Sequence, residues 1–263
     1  PRRTGVVRPL ELAEASKEKV KTTGRHAMLS LMIGLTLFGV MITQQIGLQT
    51  TTVTNSSFLT GLYVVIVPII AVVFLRRAPH WIVWPGALMV LTGIYLLSGG
   101  DMSALSRGDI LTIFCAVFSA GQITLAGIIV SETGRALTLS VAQFAVTAVC
   151  ALAAAVIVEP ISLAAIWDAA PEILYVGIFS SGVAFSLQII GQRYTTSSQA
   201  AIFLSSEALF GAALGALVLG EKISTLGYVG CALMFVAMLL VEIVPEIARR
   251  RRQNGLLIGQ NPG

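Results

Sequence analysis

The chain has 263 residues, of which 56% are hydrophobic and 11% charged, where an ordinary soluble domain has about a quarter charged. Its net charge is +4, yet the basic residues gather at chain ends and short loops, so they offer no nucleic-acid face and point to lipid as the solvent. Cys115, Cys150 and Cys231 stand singly in apolar runs, and His26 and His80 fall at segment ends, which leaves no material for a metal centre, a disulfide or a cofactor site.

Residues 1–26 are too polar to cross a membrane and read as a cytoplasmic loop or surface helix. The chain starts at Pro1 with neither Met nor signal peptide, which predicts a fragment of a longer protein. Eight apolar stretches follow, over 27–48, 53–75, 81–98, 108–130, 138–158, 172–191, 198–219 and 224–243. Each is near the roughly 20 residues that a spanning helix needs. Short turns separate them, among them RRAPH (76–80), SGGD (98–101), SETGR (131–135) and GEK (220–222). Barrel strands are about half that length and alternate apolar with polar, so the class is an all-α polytopic membrane protein.

The Lys and Arg residues set the orientation. If the tail with Arg249, Arg250, Arg251 and Arg252 is cytoplasmic, so is the N-terminal segment with its 7 basic residues, and so are Arg76, Arg77, Arg135 and Arg193. Only Arg107 and Lys222 of the 17 basic residues then fall outside. That bias supports a multi-pass protein of the bacterial inner (cytoplasmic) membrane with both ends of this chain cytoplasmic. Asp101, Asp109, Glu159, Asp168 and Glu172 read as outer-loop residues.

Residues 51–86 and 195–230 align without a gap at an offset of 144 residues: Thr51-Thr52 with Thr195-Thr196, Asn55 with Gln199, Gly86 with Gly230. Both run from a polar helix entry through an apolar helix and a charged turn to a Gly-bearing helix. The offset covers an odd number of spans, so the two copies have opposite orientations, as in the inverted repeats of many secondary transporters.

The segments GLQTTTVTNSSFLTGLYVVIVPII (47–70), GQRYTTSSQAAIFLSSEALFGAALGALVLGEKIS (191–224) and GYVGCALMFVAMLLVE (227–242) resemble EamA domains of the drug/metabolite transporter superfamily. GDILTIFCAVFSAGQIT (108–124) resembles the start of the second such domain. The resemblance implies about ten helices in two inverted repeats around a central cavity. About eight would be present here: the last three helices of the first repeat over 27–98 and all five of the second over 108–243, with 244–263 a basic cytoplasmic tail. The chain departs from the family pattern after the acidic residue, where EPVF is usual and Glu207-Ala208 stands here; Pro68 keeps a helix-bending residue in the first copy.

Glu207 is the principal candidate. It lies roughly 12–13 Å into its span, where insertion costs an acidic residue about 2.5–3.5 kcal/mol. No Lys or Arg lies deep in another span, so it should face water or protein. It reads as a substrate-amine contact or protonation site, or as a carboxyl hydrogen-bonding a neighbouring helix. Ser56, Thr60 and Tyr63 are spaced i, i+4, i+7 on one helix face, and Tyr63 is the repeat counterpart of Glu207. Ser181, Phe185 and Gln188 form another stripe, and Ser119 with Gln122 a third; Gln44, Gln45 and Gln143 add further amides. Each could be interhelical glue, but as a set they suggest cavity walls. With Asn55 and Ser206 they make up the candidate pathway, and Tyr63, Phe185, Phe203 and Phe210 could form aromatic walls for an organic solute. Gly211 to Gly215 is a GxxxG element, read as a close-packing device. Trp81 and Trp84 with Arg76 and Arg77 read as interface anchors.

The expected function is a secondary transporter exporting a small organic solute (an amino acid, metabolite or drug-like compound) by alternating access, export being what the resemblance implies. Protons or another ion could couple it, as monomer or homodimer in the bilayer. No Walker A, HExxH or GxSxG pattern occurs, which argues against an ATP-driven pump or an enzyme. A membrane-embedded enzyme and a non-transporting sensor or scaffold remain the alternatives.

Overall fold

The apolar runs fold as helices because lipid offers no hydrogen bonds, so each spanning segment must satisfy its own backbone. A computed structural model describes residues 24–97, 106–158, 162–218 and 224–258. The helices are α1 (Gly24–Gly47), α2 (Val53–Thr60), α3 (Tyr63–Val73), α4 (Val83–Leu97), α5 (Arg107–Thr133) and α6 (Ala136–Val158). After them come α7 (Leu163–Asp168), α8 (Ala170–Tyr175), a π-helical segment (Val176–Ala184), α9 (Phe185–Gln192), α10 (Ser197–Leu204), α11 (Ser206–Val218) and α12 (Thr225–Ile258). The described residues contain no strand.

Among the described residues six segments are long and apolar enough to cross a membrane: Ala27–Gly47, Asn55–Val73, Arg107–Thr133, Ala136–Val158, Ala170–Gln192 and Thr225–Ala248. Val83–Leu97 is a shorter apolar helix. The run expected at 198–219 is instead divided into α10 and α11. The segment expected at 1–26 lies outside the described residues except for its last three, as do the turns expected at 98–101 and 220–222. Of the tail expected over 244–263, the residues up to Ile258 continue α12 as helix.

The two stretches offset by 144 residues fold alike. Thr52 caps α2 by accepting from the Asn55 amide, and Thr196 caps α10 by accepting from the Gln199 amide. Their backbones agree closely, with φ −80°, ψ 152° at Thr52 and φ −77°, ψ 153° at Thr196. Each short helix then tightens into an i→i−3 turn with helical backbone, at Gly61-Leu62 and at Ser205, and the α-helix resumes within one residue of Tyr63 or Glu207.

Helices α4 and α12 pack antiparallel through glycines. A Cβ on Gly93 would lie 2.7 Å from the Gly230 carbonyl oxygen, and one on Gly230 would lie 3.0 Å from the Leu97 amide nitrogen. Gly86 approaches Val241 and Ala237 in the same seam. The offset exchanges these contacts, turning Gly86 into Gly230 and Gly93 into Ala237. The GxxxG expectation fares differently: a Cβ on Gly211 would meet nothing within 4 Å, because α11 lies at the edge of the bundle. Pro245, inside α12, cannot donate to the Val241 carbonyl four residues back; the Gln199 side-chain amide donates to that oxygen instead, at 3.3 Å.

Asp109 is not a loop residue. It sits in the first turn of α5, buried, where its Oδ2 accepts from the Ser106 amide at 2.6 Å while Ser106 Oγ accepts from the Asp109 amide at 3.1 Å. Its Oδ1 accepts from the Thr51 hydroxyl, which ties the loop after α1 to the start of α5. Loss of a cap and of a charged hydrogen bond costs about 1–3 kcal/mol. Asp109→Ala is therefore expected to lower the apparent Tm in detergent by about 3–8 °C; an unchanged melting curve would mean that this tie holds nothing together.

Candidate functional site

A cavity of about 1120 Å³ opens between α1, α3, α5, the π-helical segment, α9, α10 and α11. Sites for small organic molecules run to about 300–1,000 Å³, so it is large enough for one. Of the candidate residues, Thr60, Tyr63, Gln122, Gln188, Phe203, Ser206 and Glu207 line it, together with Gln44, Ser119, Phe185 and Phe210. The structure places Asn55, Ser56 and Ser181 elsewhere. Asn55 lies beside Asp109. Ser56 is buried on α2 with no hydrogen-bond partner for its hydroxyl.

Of the predicted stripe Ser56, Thr60 and Tyr63, the last two reach the wall, while Ser56, one turn nearer the start of α2, does not. At Ser181 the cause is helix type. A π-helix closes i→i+5 rings, so its turns are wider than α turns and the stripe slips by a residue. Ser180 and Ala184 therefore line the cavity instead. Gly182 suits this winding, since a Cβ there would sit 3.3 Å from the Gly177 carbonyl oxygen.

Glu207 stands in the first turn of α11 and is exposed to the cavity. The helix N-terminus favours its negative charge by up to about 2 kcal/mol. That offsets only part of the 2.5–3.5 kcal/mol insertion cost, and access to the cavity supplies the rest. Tyr63 lies within electrostatic reach of Glu207, so the two counterpart residues face one space. The bend at Ser205 needs no proline: its hydroxyl donates to the Ile202 carbonyl at 2.5 Å, and the Ala208 amide turns back to the Ser205 carbonyl at 3.2 Å.

Three glutamines run from the wall into the bundle. Gln188 Nε2 donates to Gln122 Oε1 at 3.4 Å, and Gln122 Nε2 donates to Gln143 Oε1 at 3.2 Å. Gln44 and Gln188 are counterparts at the 144-residue offset, and both line the cavity. Gln192, Tyr194, Thr195 and Glu242 extend the lining where α9 and α10 meet α12. Sequence reasoning missed these four: Gln192, Tyr194 and Thr195 fall at the end of α9 and beyond it, where no periodic signal remains, and Glu242 stands at the edge of the run expected over 224–243 although α12 continues past it. Pro245 was the available clue, since the carbonyl it frees draws Gln199 and its neighbours toward Glu242.

A smaller depression of about 290 Å³ between α11 and α12 is lined by Leu209, Ala213, Ala216, Leu217, Tyr228 and Cys231. It lacks the convergent polar groups that orient a solute. Among the described residues no three His, Cys, Asp or Glu side chains converge as metal ligands do.

The sequence profile of the EamA-like transporter family matches residues 11–99 and 106–243. A protein of Archaeoglobus fulgidus described as an uncharacterized transporter is 32% identical over 223 residues, covering 80% of this chain and 67% of its own length. A crystal structure only 15% identical superposes with a TM-score of 0.71, covering 89% of this chain and 83% of the other, which is a likeness of fold.

Proposed function

Because the chain belongs to the EamA-like transporter family and is a multi-pass membrane protein, we propose that it is a secondary transporter of a small organic solute, working by alternating access through the cavity between α1, α3, α5, α9 and α11. The observation that carries this reading is the matched pair at Gly61-Leu62 and Ser205. Both are tight helical turns within an apolar run, and both bring the residue that follows, Tyr63 or Glu207, to one cavity. Discontinuous helices with charged or polar groups at the repeat interface suit a site that is exposed to each side in turn.

In this reading Glu207 takes a substrate amine or a coupling proton, and Gln188, Gln122, Thr60 and Ser206 orient the solute against Tyr63, Phe185, Phe203 and Phe210. The protein lies in the cytoplasmic membrane with both ends of this chain inside, and it moves solute outward. The test is solute counterflow in proteoliposomes with a panel of amino acids and organic cations. At least one compound is expected to exchange above protein-free vesicles; the absence of counterflow for every compound in a folded preparation would overturn the reading.

A further inference from the structure

We infer that the cavity takes solutes bearing two ammonium groups, one held by Glu207 and the other by a second site that Glu242 and Gln192 form where α9 and α10 meet α12; this deepens the transport reading above and rests on it. Both carboxylates line the cavity, and both residues are exposed. Among the described lining residues there is no Lys, Arg or His. Arg193, between two lining residues, turns its guanidinium to Gly134 and to the Tyr194 ring. A wall with two formal negative charges and no positive one favours a dication, since a monocation leaves one carboxylate without a counter-charge. Gln192 gives the second end more than a solvated carboxylate. It lines the cavity and is 2% exposed, yet neither Oε1 nor Nε2 has a hydrogen-bond partner. A buried amide left in that state is costly. An ammonium carries three N–H donors, enough to serve the Glu242 carboxylate and the Gln192 oxygen together. The Gln192 nitrogen adds donors but no charge, so Glu242 sets the sign of the site.

The two carboxylates are spaced for a chain. Gln199 Nε2 donates to the Val241 carbonyl at 3.3 Å, which sets Glu242, the next residue, beside the first turn of α10. Glu207 comes eight residues after Gln199, roughly 12 Å further along at 1.5 Å per residue. Phe203 stands four residues from each of these and lines the cavity. An apolar surface therefore lies between the charged ends, where a methylene chain would run. Octane-1,8-diammonium, fully extended, spans about 11 Å between its nitrogens at ordinary C–C bond lengths.

The experiment is counterflow in proteoliposomes with the full chain, comparing octane-1,8-diammonium with 8-hydroxyoctylammonium, which has the same length and one charge. Half-saturation is expected to be about tenfold lower for the dication. Glu242→Gln, nearly isosteric, should bring the ratio to within about twofold of one, and Gln192→Leu should lower it about threefold. Glu242→Asp keeps the charge and should hold most of the ratio, which a simple packing role for Glu242 would not predict. Equal half-saturation in the wild type, a preference for the monocation, or a ratio untouched by Glu242→Gln would overturn the inference. Exchange of other solutes with neither amine carried would also overturn it, while leaving the transport reading standing; no exchange of any solute by folded protein would overturn both.

Discussion

Replacing Glu207 with Gln is expected to reduce solute flux by about 10- to 100-fold, the worth of one charged hydrogen bond to a bound solute. What flux survives should no longer vary with pH through this position, because an amide does not ionise. Tyr63→Phe, the counterpart change, removes a neutral hydroxyl and is expected to cost only about two- to fivefold. Stability separates function from structure here. Glu207 faces the cavity, and the helix dipole offsets only part of its insertion cost. Glu207→Gln should therefore leave the apparent Tm unchanged or raise it, as is common where a group is kept for function. A fall of several degrees would instead make Glu207 a hydrogen-bonding strut between helices. Full flux at every pH would remove it from the mechanism altogether.

Much of the architecture was legible because lipid imposes simple rules. Length and apolarity located the spans. The Thr-Thr helix entries at 51–52 and 195–196 marked two caps that the structure builds with nearly the same dihedrals. Sequence spacing failed where a backbone departs from α winding. The π-helical turns before Phe185 have no distinct sequence mark, so the stripe drawn through Ser181 missed that Ser180 lines the cavity, and the stripe drawn through Ser56 ran one turn past the wall that Thr60 and Tyr63 form. Asp109 was misread for a different cause. Its charge at the very start of the run expected over 108–130 suggested an outer loop, whereas the Ser-x-x-Asp spacing from Ser106 to Asp109 is that of a capping box. Depth along a helix can be read from sequence, but the face a side chain presents depends on partners supplied by distant segments. Gln192 and Glu242 show this, since α12 and α10 must meet before either lines anything.

The largest structural effect is expected at Gly230. The backbones of α4 and α12 approach there closely enough that a Cβ would strike the Gly93 carbonyl and lie 3.0 Å from the Leu97 amide and 3.2 Å from Leu96 Cβ. Two of these neighbours are main chain and cannot swing aside as a flexible side chain would. Relief therefore requires the helices to separate, which also loosens the buried cluster of Val90, Ile94, Met234 and Ala237 between them. Overpacking alone costs about 1–3 kcal/mol, and parting that cluster adds a loss of the kind seen when core contacts are removed, about 2 kcal/mol or more. Gly230→Val is accordingly expected to cut the recovery of monodisperse protein several-fold and to lower the apparent Tm by about 10 °C or more. Gly211→Ala is the control, because open space surrounds that position and exchanging a mid-helix glycine for alanine gains about 0.5–1 kcal/mol. Size-exclusion chromatography and thermal unfolding in one detergent compare the two directly. Wild-type behaviour of Gly230→Val would mean that α4 and α12 do not meet at this seam, and the antiparallel pairing of the two repeat copies would fall with it.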